Sequence, residues 1–444
     1  MTAPVATHLR RLVHLAIPVA ASQLAAMLLM VVDLMMLGRV SVHALDAASL
    51  GRVWVMGTLV FGMGLLLGID PLATQAWGAG DRARFRRTLG SGMVCALWIS
   101  VPVGLLWLAT GPVLELFGQG AGLADDAGRY ARVQIPGLPF FFAFFVLKQV
   151  LQAKGSVLPA MWISFAANAF NALVNWILIF GKLGLPALGV VGAGIATTLT
   201  HVFLFVSLLL WTVRELAGLR WGALLRRGAR LSSQLEIGRY GGPVAIQLGL
   251  EMWTFQITTL MAGVLGVVPL AAHTVAITLA SLTFMAPLGI SLAAVVRVGN
   301  LLGARKPGEA RRAAWVSLGL GGGLMSLSGI LFWVGRYHLP RWFTSDPDTV
   351  ALAAAILPIA AAFQIVDGIQ VVGSGILRGM GETLPAALFN LLGFYGLALP
   401  LGWWLAFRAD LGVRGLWWGL AAGLTAVAVL LVGYIRRYGP GADR

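Results

Sequence analysis

Apolar residues run along the chain in stretches of about 20–30 that begin near residues 13, 48, 89, 130, 158, 189, 241, 270, 313, 350, 384 and 413. A helix crossing the hydrocarbon of a bilayer needs roughly 20 predominantly apolar residues, so each stretch is long enough to span. The stretches do not alternate apolar and polar positions, which opposes a transmembrane barrel whose strands would alternate over about ten residues. The pattern predicts an all-α integral membrane protein with 12 transmembrane helices. The first stretch follows Arg10 and Arg11 and continues past residue 30. It lacks the short apolar region and small-residue cleavage site of a secretory signal, and is read as the first span.

The chain is internally duplicated. Leu158-Pro159-Ala160 recurs as Leu384-Pro385-Ala386, Gly78-Ala79 as Gly303-Ala304, Arg86-Arg87 as Arg311-Arg312, and Gly189-Val190-x-Gly192 as Gly412-Val413-x-Gly415. The offsets are 226, 225, 225 and 223, in the same order along the chain. Repeats of this kind predict two six-helix bundles, residues 1–213 and 241–444, joined by a basic linker over 214–240. Six is even, so both halves start on the same side of the membrane as parallel repeats.

Composition agrees with a lipid solvent. Only 11% of the 444 residues are charged and 59% are hydrophobic, against about 25% charged in a soluble domain. One cysteine, Cys95, and six scattered histidines exclude a disulfide scaffold and a multi-cysteine metal centre. The net charge of +15 follows from topology: with the amino terminus in the cytoplasm, 23 of the 32 Lys and Arg fall on that side. Both termini are then cytoplasmic, as expected for a multi-pass protein of a bacterial inner membrane, and nucleic acid is not needed to explain the charge. No phosphate-binding loop, nucleophile–base pair or metal motif is found, so neither ATP-driven transport nor an enzyme is expected, and no cofactor.

Of the 17 acidic residues, three lie well inside spans: Asp33, Glu251 and Asp367. A carboxylate at the centre of a membrane helix costs about 3 kcal/mol or more unless it faces a cavity, a partner or a bound cation. No Lys or Arg is read as lying mid-span to pair with them, which points to an exchangeable Na⁺ or H⁺. Asn168, Asn171 and Asn175 follow i, i+3, i+7 spacing, so their amides share one helix face. Amide carbonyls can complete an oxygen shell around a cation, or bond between helices. Gln247 is a weaker polar signal. Phe255, Phe284 and Phe363 lie near or in the same spans as the acids and are candidates for a substrate-cavity wall. Gly64-x-x-x-Gly68 and Gly319-x-x-x-Gly323 are read as close-packing positions.

Six segments carry a resemblance. They are Val32-Asp33-Leu34-Met35-Met36-Leu37-Gly38, Gln75-Ala76-x-Gly78-Ala79-Gly80-Asp81, Asn171-x-x-x-Asn175-Trp176, Pro243-x-x-x-Gln247-x-x-x-Glu251, Val296-Arg297-Val298-Gly299-Asn300-x-Leu302-Gly303-Ala304, and the run from Asp367-Gly368-x-Gln370 to Leu377-Arg378-Gly379. With these, nearly the whole chain resembles the multidrug and toxic compound extrusion (MATE) transporters, in particular their NorM-like bacterial branch. The resemblance implies an antiporter that exports cationic or amphipathic organic compounds in exchange for Na⁺ or H⁺ by alternating access. It implies a cation site at Asp33, Asn171 and Asn175 and another at Glu251 and Asp367, either able to take Na⁺. Asp70 looks like an acid of part of the wider family, although solvation at a span end accounts for it equally well. Some relatives carry tyrosine where Phe284 and Phe363 stand. Pro18 is expected to let the first span bend. The expected partners are small organic cations or drugs, the coupling ion and membrane lipid, with the protein a monomer. The alternative is a flippase for lipid-linked saccharides, which should line its cavity with Arg or Lys.

Overall fold

The computed structural model describes residues 4–216, 218 and 220–441, so residues 217 and 219 of the basic linker lie outside it. Among the described residues the chain is almost wholly helical, without strands. It forms two compact units. One comprises Ala21–Trp77 and Asp81–Ala245, the other Met1–Ala20, Gly78–Gly80 and Ile246–Arg444. These units cut across the halves marked by the repeat, because two long helices change unit along their length.

Helix α1 (Val5–Gly38) enters the amino-terminal unit after Ala20. It is followed by α2 (Val42–Leu66), α3 (Ile69–Gly78), α4 (Arg82–Leu108), α5 (Thr110–Leu116), α6 (Ala121–Arg132), α7 (Leu138–Lys154), α8 (Leu158–Phe180), α9 (Gly189–Glu215) and α10 (Trp221–Gly228). Helix α11 (Leu231–Val264) belongs to this unit as far as Ala245 and to the other beyond it. The carboxy-terminal unit continues with α12 (Val267–Gly303), α13 (Pro307–Gly335), α14 (Pro347–Met380), α15 (Thr383–Asn390), α16 (Leu399–Phe407) and α17 (Val413–Tyr438). A π-helical stretch, Leu391–Ala398, joins α15 to α16.

Local chemistry sets the ends. The Ser41 hydroxyl accepts from the Ala44 amide at 3.0 Å to cap α2, and Asp81 accepts from the Arg84 amide at 2.8 Å to cap α4. Gly155, Gly181 and Gly381 close α7, α8 and α14 in the left-handed conformation that lacks a Cβ penalty. Prolines inside α1 and α11, Pro18 and Pro243, each remove one backbone hydrogen bond. Each stands two residues before the point at which its helix changes unit.

Among the described residues eleven segments are long and apolar enough to cross a bilayer. The remaining expected span is α11, whose hydropathy is lowered by Gln247, Glu251 and Gln256. The least apolar span therefore carries one of the three acids. Lipid tails are as apolar as leucine, so bundles are held by close packing and interhelical hydrogen bonds. Gly64 and Gly68 behave as expected: a Cβ would stand 2.4 Å from the Ala245 Cα and 2.4 Å from the Ile237 carbonyl oxygen, respectively. Gly319 and Gly323 do not, since a Cβ on either meets open space. The packed glycines of α13 include Gly321, against Val372 and the Gly368 carbonyl, and Gly329, against the Ala361 carbonyl. Spacing within one helix does not say which face meets a neighbour, and in α13 the face that meets α14 carries Gly321 and Gly329.

Candidate functional site

The three intramembrane acids lie in two clusters, one in each unit. In the amino-terminal unit, α1 carries Asp33, which is 2% exposed. The buried Asn175 amide on α8 donates to Asp33 Oδ1 at 2.5 Å and to Asn171 Oδ1 at 2.9 Å, one helical turn away. Asn171 Nδ2 in turn donates to the Thr200 hydroxyl of α9 at 3.2 Å, and the Thr197 hydroxyl stands 3.4 Å from Asp33 Oδ2. The i, i+4 spacing on α8 and the i, i+3 spacing on α9 present these groups toward one point on α1. Asn168, on the same face of α8, does something else. Its amide donates to the backbone carbonyls of Ala25 and Ser164, both at 2.9 Å, and ties α8 to α1.

The expectation that no basic residue would reach an acid is overturned here. Arg52, nearly three turns into α2, places Nη2 3.5 Å from Asp33 Oδ2. Its Nη1 donates to the Met30 carbonyl at 2.9 Å and its Nη2 to the Tyr130 hydroxyl at 3.3 Å. Arg52 falls near the start of the second apolar stretch, which begins near residue 48. Its distance in sequence from Asp33 hid the pairing. A second basic residue within a span, Lys148 on α7, donates to Gln23 Oε1 at 2.8 Å.

Among the described residues the carboxy-terminal cluster has no such partner. Glu251 on α11 accepts from the Gln370 amide of α14 at 3.4 Å and from the Asn390 amide at the end of α15 at 3.3 Å. Gln370 and Asn390 also approach one another at 3.5 Å. Asp367, one turn before Gln370 on α14 and 5% exposed, lies near enough to Glu251 for the two charges to interact. Two carboxylates in one low-dielectric site repel unless a proton or cation intervenes. The site is thus built from two acids and two neutral amides, oxygen-rich and short of positive charge. Asn390 opens the π-helical stretch Leu391–Ala398, a distortion common at functional sites.

The other predicted residues divide. Gln247 donates to the Ser374 hydroxyl at 3.0 Å, one turn from Glu251 on the same helix. Phe255 and Phe363 pack edge to face with ring centroids 6.3 Å apart, and Phe255 also meets Phe394 while Phe363 meets Trp417. Phe363 is buried in that core, whereas Phe284 is half-buried and takes no part in this aromatic set. Asp70 is not solvated as a span end would be. It is buried in α3, and Gln149 Nε2 donates to its Oδ1 at 2.8 Å. Missed from the sequence were Arg52, Tyr130, Thr197, Thr200, Gln370 in a ligand role, and Asn390. Only Gln370 and Asn390 carried a signal, as amides inside apolar spans.

The chain that carries these clusters has relatives. The MatE family model matches residues 18–177 and 243–404. The chain belongs to the MatE family. It is 38% identical to the multidrug resistance protein NorM of Burkholderia vietnamiensis over 424 residues, covering 94% of this chain and 91% of that protein. It is 32% identical to the multidrug resistance protein MdtK of Yersinia pseudotuberculosis, covering 96% of this chain and 95% of the other. Among solved structures, the eukaryotic MATE transporter AtDTX14 superposes with a TM-score of 0.86 at 27% identity, covering 97% of this chain and 96% of that one. The Vibrio cholerae MATE transporter VcmN in the bent form shares the fold with a TM-score of 0.84 at 19% identity, covering 97% and 98%. As a MatE protein the chain is an all-α, multi-pass membrane transporter with the family's twelve-helix fold, and its family is one of transporters rather than enzymes.

Proposed function

We propose that this MatE protein is a secondary antiporter that exports cationic or amphipathic organic compounds in exchange for Na⁺ or H⁺ by alternating access. The NorM and MdtK relatives, both named for multidrug resistance, support the efflux reading. The observation that carries the coupling is Glu251, met by the neutral amides of Gln370 and Asn390, with the buried Asp367 carboxylate near enough to interact with its charge. Such a pair favours occupation by one Na⁺ or H⁺, with Gln370 and Asn390 oxygens available to a bare ion. The Asp33 cluster, with Asn171 and Asn175, is the second cation site. A cationic drug near either acid weakens the ion by like-charge repulsion, and the ion weakens the drug by the same factor. Pro18, where α1 leaves one unit for the other, is the proposed hinge.

A lipid-saccharide flippase would need basic side chains free to meet an anionic lipid. The nearer candidate, Arg52, is engaged with Asp33, which supports the antiporter. The test is efflux from proteoliposomes under a Na⁺ gradient and, separately, a proton gradient. Drug movement should follow one of them and stop when it is collapsed. Equal movement with neither gradient imposed would remove the antiporter reading.

A further inference from the structure

We infer that Arg52 is the built-in counter-ion of the amino-terminal site: its guanidinium occupies the Asp33 carboxylate in place of an external cation, and an incoming cation reaches Asp33 only by displacing it. The identity of that cation as drug or coupling ion rests on the antiporter reading. The counter-ion role does not.

Three contacts hold the guanidinium. It reaches Asp33 Oδ2 at 3.5 Å, the Met30 carbonyl at 2.9 Å and the Tyr130 hydroxyl at 3.3 Å. Met30 and Asp33 are three residues apart on α1, so the planar fork of the arginine grips one turn of that helix from α2. Both carboxylate oxygens are engaged, Oδ1 by Asn175 and Oδ2 by Arg52 and Thr197. Among the described residues, the charged or titratable groups facing Asp33 are Arg52 from α2 and Tyr130 from α6, while α8 and α9 present only a neutral amide and a hydroxyl. Asp33 and Arg52 together are therefore neutral with no ion bound. Glu251 and Asp367 together are not. An arginine keeps its proton under all physiological conditions, so the counter-charge at Asp33 cannot be removed by Arg52 releasing one. The site can only exchange one positive partner for another.

Replacing Arg52 with glutamine leaves a buried carboxylate without a counter-charge, which it must recover by taking up Na⁺ or a proton. The experiment measures the Kd of tetraphenylphosphonium for the purified protein across a pH series at fixed Na⁺ and across a Na⁺ series at fixed pH. Arg52→Gln should gain up to one additional ion in the slope of log Kd in one series, and the Asp33→Asn, Arg52→Gln double variant should lose that gain. Arg52→Lys keeps the charge but not the fork. It should retain the wild-type slope and bind tetraphenylphosphonium about threefold or more tightly, because a single ammonium is displaced more readily. A wild-type slope in Arg52→Gln would overturn the counter-ion role. Should that variant fail to fold, an unchanged affinity in Arg52→Lys overturns it instead. A flat wild-type Kd in both series would count against the antiporter, while the difference between Arg52→Gln and wild type would still report on Arg52.

Discussion

The two acidic clusters sit in duplicated bundles, yet they meet the cost of a buried carboxylate in opposite ways. In the amino-terminal unit one acid, Asp33, meets one arginine and a relay of amides and hydroxyls. In the carboxy-terminal unit Glu251 accepts from two amides and lies near a second acid, Asp367, with no ion-pair partner for either among the described residues. The repeat does not relate them. At an offset of 225 residues Asp33 corresponds to Thr258, Glu251 to Ala26, Asp367 to Phe142 and Arg52 to Ile277. Duplication conserved the scaffold and left charge placement to diverge, so one unit balances its acid internally and the other depends on a mobile ion.

The largest effect that would break this contrast is on stability. Asp33→Asn leaves the Arg52 guanidinium buried without its partner, which should cost about 3 kcal/mol. The Asp33→Asn, Arg52→Gln double variant should recover most of that in thermal unfolding in detergent. If the single variant is as stable as wild type, the ion pair is not a buried one.

Next in size is the loss of coupling. Glu251→Gln and Asp367→Asn should each lower gradient-driven efflux about tenfold or more, equivalent to at least 1.4 kcal/mol of ion binding. Membrane insertion should be unimpaired, because removing a charge from a span eases insertion. Wild-type efflux in both variants at matched expression would reject the carboxy-terminal ion site.

The amides sharpen the contrast with smaller shifts. Asn171→Ala and Asn175→Ala each delete a neutral ligand and should weaken cation affinity by roughly fivefold, about 1 kcal/mol. Asn168→Ala should lower thermal stability by a similar amount without moving cation affinity, since Asn168 binds backbone carbonyls rather than Asp33. Titration calorimetry with the coupling ion separates the two outcomes.

The smallest expected effect is at the hinge. Pro18→Ala restores a backbone hydrogen bond in α1 and should slow turnover about threefold while leaving drug affinity unchanged. Turnover at the wild-type rate would remove Pro18 from the mechanism.

Much of the fold was legible in the sequence, because a membrane span must satisfy every backbone group internally and advertises itself by length and hydropathy. Twelve apolar runs, the duplication and the three acids all followed from residues read in order. So did the partnership of Asn171 with Asn175, whose spacing on α8 puts them one turn apart. What the sequence could not supply were contacts between helices distant in the chain. Arg52 carried no sign of its partner in the sequence, because only the approach of α2 to α1 brings it to Asp33. Asp70 looked solvated until Gln149 of α7 covered it. Asn390 was one more amide in an apolar span until α15 carried it to Glu251, 139 residues away. The four-residue glycine spacings named close-packing helices, but only the packed bundle chose Gly321 over Gly319 and Gly323. Hydropathy and periodicity are properties of one helix at a time. Which charge is neutralised, and by whom, depends on low-dielectric contacts between helices, and these exist only once the bundles are assembled.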